Sequence, residues 1–263
     1  MTAMTGYDIP SSPKPGPRAW AQVLIAETKS VARDTAGLII PIGMPSLLIV
    51  AQGAGPSQES VPGTGGRSVF EVFLLPLMLV MVISLIGIVN MPSFLAMYRK
   101  EGLLKRLAAT PANPAMLLAA QVATSLIQTV IGIALALALS AWMFGLSGPI
   151  TLWPTIGAFA LTCVAMYAAG MVVAAISPTT NAAVAIGLIT FFAMGALGGM
   201  FGGSQNLPEV LAELGRWLPY GAGVDALQHA WLGKGIPWQR LLALTLATIV
   251  GAVSAVRLFR WAR

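Results

Sequence analysis

The densest cluster of charge in this chain is Tyr98-Arg99-Lys100-Glu101-Gly102-Leu103-Leu104-Lys105-Arg106-Leu107-Ala108-Ala109-Thr110-Pro111. Glu101 and Lys105 are four apart with the acid first, the order that favours a helical ion pair. Pro111 and Pro114 stop such a helix, so a short basic helix is expected. It can fix orientation across a membrane or receive a cytoplasmic partner. Nucleotide hydrolysis within the chain is a poor fit, because a phosphate-cradling loop needs G-x-x-x-x-G-K-[ST]. The nearest fragment, Gly233-Lys234, is followed by Gly235 and has Gln228 where the first glycine should be. His229 is the single histidine and stands four residues from Asp225. A proton relay through that pair would require ionisable groups inside the spans. The lone Cys163 excludes an intrachain disulfide and a cysteine-based metal cluster, and no paired carboxylates or nucleophile–base set suggests an embedded enzyme.

The elements that hold these residues follow from composition. Of 263 residues, 15 are Lys or Arg and 9 are Asp or Glu, so 9% are charged, against about 25% in soluble domains. Hydrophobic residues make up 57% and the mean hydropathy is +0.81. The basic residues sit between apolar runs and form no basic face, which argues against nucleic acid as a partner and for the lipid bilayer. Ionised groups are costly inside a bilayer, so uncharged stretches locate the spans. Residues 35–58, 72–98, 107–208 and 241–256 carry no charge. Turn-like clusters at Gly145-Leu146-Ser147-Gly148-Pro149 and Ser177-Pro178-Thr179-Thr180-Asn181 divide the longest stretch into three helices. The expected spans are 36–52, 69–97, 115–144, 152–176, 183–203 and 236–256, each near the roughly 20 residues a bilayer requires. Pro41, Pro45 and Pro76 should bend their helices, with neighbours or polar groups meeting the freed carbonyls.

The fold expected is an all-α membrane protein with six transmembrane helices. Residues 1–17, rich in Pro, Gly and Ser, read as a cytoplasmic tail. Residues 18–34 read as an interfacial amphipathic helix: Arg18, Gln22, Lys29 and Arg33 share one face, and Trp20, Val23, Leu24 and Val31 lie opposite. Glu27 falls within the apolar stripe, where it belongs either to a simple membrane anchor or to a contact with a protein partner. Residues 35–263 then form the six-helix domain, with a cytoplasmic loop at 98–114. Before the last span, Val210, Leu211, Leu214, Trp217 and Leu218 recur at helical spacing beside Glu209, Glu213 and Arg216, and a second short helix follows around Val224 to Leu232. These read as external interfacial or re-entrant helices. Gly195, Gly199 and Gly203 mark a close-packing stripe on the fifth span. Gln121, Thr124, Ser125, Gln128 and Thr129 on the third can line a pathway or simply pack. Glu71 is expected at the outer edge of the second span, within reach of water.

The 98–111 stretch resembles the cytoplasmic loop of type-2 ATP-binding-cassette (ABC) exporter permeases, the drug-resistance and polysaccharide-export branches included. That loop reads Glu-Gly-Thr-Leu-Glu-Arg-Leu, two variable residues, then Thr-Pro. Glu101, Gly102, Leu104, Arg106, Leu107, Thr110 and Pro111 stand at matching places, while Leu103 replaces the Thr and Lys105 the second Glu. The resemblance implies a coupling helix docked in a cleft of a separate ATPase subunit. Glu101, Lys105 and Arg106 would make polar contacts there, Leu104 and Leu107 apolar ones, Gly102 would allow close approach, and Arg99 and Lys100 would share the interface. It further implies two copies of a cytoplasmic ABC ATPase carrying the ATP and Mg, no cofactor in this chain, and a dimer with itself or a similar permease. Efflux of a drug, lipid or metabolite across the plasma (inner) membrane follows, with polysaccharide export or an ion-gradient-driven secondary transporter as the alternatives. Leu218-Pro219 with Asp225-Ala226-Leu227 is similar to the family's external segment, so Trp217, Pro219, Tyr220, Asp225 and His229 would belong to a gate or re-entrant region.

Orientation follows from the basic residues. Lys14, Arg18, Lys29, Arg33, Arg99, Lys100, Lys105, Arg106, Arg257, Arg260 and Arg263 fall on one side of six spans, and Arg67, Arg216, Lys234 and Arg240 on the other. Eleven against four puts both termini in the cytoplasm. Reporter domains fused after Arg263 and inserted after Thr110 should therefore report the cytoplasm, and one inserted at Gly63 the exterior. The reverse pattern would overturn the orientation.

Overall fold

The computed structural model describes residues 16–103, 114–203 and 206–258, with only the backbone of Ala36, Pro114 and Ala115. Nine helices are found among them: α1 (Pro17–Arg33), α2 (Thr35–Gln52), α3 (Phe70–Lys100), α4 (Pro114–Phe144), α5 (Leu152–Ile176), α6 (Thr180–Leu197), α7 (Glu209–Trp217), α8 (Pro219–Trp231) and α9 (Trp238–Leu258). No strand forms among the described residues; a single antiparallel bridge, Ser60 to Ser68, closes the loop before α3. The protein is an all-α membrane protein.

Five helices, α3, α4, α5, α6 and α9, are long and apolar enough to cross a bilayer. A sixth crossing is counted only when α1 and α2, bent by 60° at their junction, are taken together. The expected 36–52 span corresponds to α2, and 152–176 coincides with α5. The fifth span is shorter than the expected 183–203. It ends at Leu197, with Gly198 as cap, and Gly199 has a φ of +90° that L side chains rarely adopt. The glycine stripe therefore does not continue along one helix, because Gly199 and Gly203 both lie beyond its end.

At the centre stands α3, buried from Leu75 to Ile88 along its whole circumference. It packs against α2, α4, α5, α6 and α8, while α1 covers α4 and α9 covers α5. Large apolar side chains of α2, α4, α6 and α9, among them Leu47, Val130, Ile189 and Val256, face outward where lipid would meet them. Lipid tails are as apolar as leucine, so burial from water contributes little to holding such helices together. Close backbone packing and hydrogen bonds carry that task instead.

Both devices trace to proline. Within α3 the stretches Phe70–Leu74 and Leu85–Asn90 are π-helical, and each ends two residues before a proline, Pro76 and Pro92. Proline cannot donate and its ring crowds the carbonyl four residues back; the wider π turn gives that carbonyl room. At the second bulge the α3 backbone presses on its neighbours: a Cβ on Gly170 of α5 would overlap the Gly87 carbonyl, and one on Gly187 of α6 would stand 2.5 Å from that of Ile88. Substituting Gly170→Ala should thus lower stability by about 1–3 kcal/mol through overpacking. Gly157→Ala, in open space on the same helix, should be neutral or mildly stabilising. Thermal unfolding of the two purified variants checks the contrast.

Candidate functional site

The C-terminal end of α3 is tied to α1 and to the end of α5 through two consecutive residues. Tyr98 is 4% exposed and donates its hydroxyl to Oε2 of Glu27 on α1, at 2.6 Å. Its ring sits 6.3 Å from that of Phe94, in a small apolar cluster with Val31 and Leu117. The Arg99 guanidinium turns the other way and donates to the carbonyls of Ala174, at 3.2 Å, and Ser177. Those are among the last carbonyls of α5, which lack helical partners and carry the negative end of its dipole, so a cation is well placed there. Two residues on, Thr179 caps α6 by accepting from the Ala182 amide at 3.1 Å. The end of α3 thus holds α1 on one side and the α5–α6 turn on the other.

Sequence reasoning gave Glu27 two readings, and its side chain faces Tyr98 of the same chain and not the outside. Arg99, expected in the partner interface, is likewise engaged within the chain. Lys100 and Glu101 are exposed at the tip. Gly102, with φ of +66°, ends the helix in the left-handed conformation that glycine adopts without cost. Leu104, Lys105, Arg106 and Leu107 lie outside the described residues. Burial raises the Glu27 carboxyl above its ordinary value of 4.5, and the Tyr98 hydrogen bond offsets part of that rise.

At the opposite end α7 presents Val210, Leu211, Leu214 and Trp217 outward and buries Ala212 and Gly215, as its amphipathic spacing predicts. The Trp217 indole donates to Glu213 at 3.0 Å. Of the two expectations for the following segment, re-entrant or resting in the headgroups, the second fits poorly: α8 starts at Pro219, its N-terminal turn well served by a proline, and is almost wholly buried. Tyr220 is fully buried, with its hydroxyl 3.3 Å from the Leu77 carbonyl and its ring edge-on to Phe191. Asp225 accepts from Arg240 at 2.5 Å and faces His229 Nδ1 at 3.2 Å, so His229 has a local ion-pair partner and no chain of ionisable groups beyond it among the described residues. Glu71, expected to reach water, is 3% exposed; it pairs with Arg67 and accepts from the Trp231 indole at 3.1 Å.

The polar face of α4 also turns inward. Gln121, Thr124, Ser125, Gln128 and Thr129 are all buried within the chain. Gln128 and Asn90 both donate to the Gly37 carbonyl, at 2.7 and 3.0 Å, Thr129 meets the Tyr167 hydroxyl at 2.7 Å, and Thr124 lies 3.4 Å from Thr28. Asn90 and Tyr98 carried no signal of their own in the sequence; only the proline four residues after Gly37 hinted that some polar group must come to that carbonyl. No group of three or more His, Cys, Asp or Glu able to hold a metal occurs among the described residues.

A sequence family described as ABC-2 family transporter protein matches residues 22–257, which takes in every helix from α2 to α8 and most of α1 and α9. The chain belongs to that family. No curated protein matches it. An ABC-2 chain is the membrane permease subunit of an ABC transporter, and the family in general works with an ABC ATPase. The tie of Tyr98 to α1 and of Arg99 to the end of α5 lies at the base of the 98–114 loop of this permease.

Because Glu27 binds its proton more tightly folded than unfolded, its contribution to stability is largest below about pH 4.5 and is lost as pH rises through the raised value. Glu27→Gln should flatten that limb of the stability–pH curve. Tyr98→Phe, which leaves a buried carboxylate without its donor, should cost about 1–3 kcal/mol at neutral pH, and much less in a Glu27→Gln background. Chemical denaturation of the four proteins across pH 4–8 provides the cycle.

Proposed function

We propose that this chain is the permease of an ATP-driven exporter that moves a hydrophobic or amphipathic molecule outward across the plasma (inner) membrane. It acts as a homodimer or beside a similar permease, with two cytoplasmic ATPase subunits that bind ATP and Mg. Both termini face the cytoplasm, where the 98–114 loop is the docking element. The observation that carries this reading is the node just described. A short basic loop that merely set topology would need no attachment, whereas this one is rooted in Tyr98 and Arg99, which hold α1 and the α5–α6 turn.

A displacement of residues 100–113 by a docked ATPase is passed to α1 through the Tyr98–Glu27 hydrogen bond and to the α5–α6 turn through Arg99. Alternating access then needs two arrangements of those helices that the partner binds with different affinity. Lys100 and Glu101 at the exposed tip, with Lys105 and Arg106 beyond them, supply the polar contacts of the dock, and Leu104 and Leu107 the apolar ones. With the polar face of α4 turned into the bundle, the outward faces of α2 and α4 are apolar, in keeping with an apolar cargo. An ion-gradient mechanism is less well supported, since the buried carboxylates Glu27 and Glu71 already have partners.

Co-expression with the cognate ABC ATPase should yield a stable complex. Glu101→Lys or Arg106→Glu should weaken its assembly or uncouple ATP hydrolysis from cargo movement. Normal assembly and coupling in both variants, measured by co-purification and ATPase assay in vesicles, would remove the loop from the mechanism. Cargo movement by the purified chain alone on an ion gradient would remove the exporter reading itself.

A further inference from the structure

At the end of the bundle away from the 98–114 loop, a cavity of about 520 Å³ opens between the start of α3, the end of α6, α7, α8 and the start of α9. That volume lies in the range of roughly 300–1,000 Å³ typical of small-molecule sites. Its wall combines Leu77 and Met200 with Gln228, Asp225, Arg216 and Arg240. The glycines past α6 also line it, so backbone, not side chain, forms much of one side.

The charges around it do not balance. Two guanidinium groups face one carboxylate, and the Asp225 carboxylate is already engaged by Arg240 at 2.5 Å and His229 at 3.2 Å. Arg240 is anchored further by donating to the Arg216 carbonyl at 3.4 Å. The Arg216 side chain is about half exposed; its partner Glu213, at 3.3 Å, is equally exposed and stands outside the cavity lining. Ion pairs of that kind are weak, so an anion arriving in the cavity can compete for Arg216. A guanidinium presents paired donors suited to phosphate, sulfate or carboxylate. The apolar wall suits a hydrocarbon tail, and one charge-bearing rim above it fits a molecule with a single polar head.

We propose that this cavity is a binding site for an anionic amphiphile, with the head at Arg216 and Arg240 and the tail against Leu77 and Met200. This deepens the exporter reading, on which its meaning as a cargo site rests. The amphiphile comes either from the bilayer as an anionic lipid or from solution as cargo; the chemistry recognised is the same.

The test uses the full-length chain in phosphatidylcholine nanodiscs and dodecyl phosphate below its micellar concentration, with dodecyltrimethylammonium as the cationic counterpart of equal tail. Saturable binding of dodecyl phosphate, with affinity at least tenfold above the cationic compound, is expected. Arg216→Ala keeps the backbone carbonyl that Arg240 uses and should weaken binding about tenfold. Gln228→Trp, which fills the cavity from its wall, should abolish it. Equal affinity for the two head groups, no saturable binding, or affinity unchanged in both variants would overturn the site. Replacing part of the phosphatidylcholine by phosphatidylglycerol separates the sources. Competition marks the bilayer as supplier, undiminished binding marks a free amphiphile, and either upholds the site. Assembly and ATP coupling with no amphiphile binding would sink this proposal alone; binding with no ATPase assembly would sink the exporter reading alone.

Discussion

A carbonyl stripped of its helical donor cannot be left facing hydrocarbon, and in this bundle that requirement organises the interior. Pro41 lacks the N–H that the Gly37 carbonyl would otherwise receive. The vacancy is met by Asn90 from α3 and Gln128 from α4, which also bond to each other at 3.0 Å. Three helices are thereby pinned at one point, by bonds worth on average about 0.6 and at most about 1.7 kcal/mol each in membranes. Their value lies in fixing rotation: Gln128 can reach Gly37 only if the polar face of α4 points inward, which in turn directs its apolar face to the outside.

The same logic explains what could be read from the sequence and what could not. Uncharged runs located the spans because charge is excluded from lipid, and α5 and α7 matched closely since both are bounded by turn residues. The amphipathic spacing of α7 was equally plain. What escaped were pairings between residues far apart. Tyr98 and Glu27 are 71 positions from each other, and neither spacing nor composition relates them. Glu71 looked wet because it sits near a helix start; Arg67 and Trp231 enclose it, the latter 160 positions away. α8 seemed semi-polar, yet its Gly and Ala content lets it enter the core, and its charged residues cluster at one side with Arg240. The glycine run 195–203 was misread as a helical stripe, because a spacing of four has meaning only while the helix continues.

The 98–114 loop was legible in a different way. Its tip announced itself by charge, and the family resemblance by the order of seven residues. Its attachment did not. Arg99 resembled one more positive charge among several, although its guanidinium is the one that closes the end of α5. Tyr98 carried no signal of its own. Functional loops are rooted by such inward residues, which share the sequence neighbourhood of the exposed ones and differ from them only in which way the helix turns them.

The π-helical stretch Leu85–Asn90 has one more consequence. It divides α3 into two regular rods, and at that point α5 and α6 meet it through glycines instead of interlocked side chains. The first rod is moored at its start by Arg67, Glu71 and Trp231; the second leads into the 98–114 loop. A π-helical turn is one of the few places where a long helix bends readily, so flexing of α3 is easier there than in the regular turns on either side.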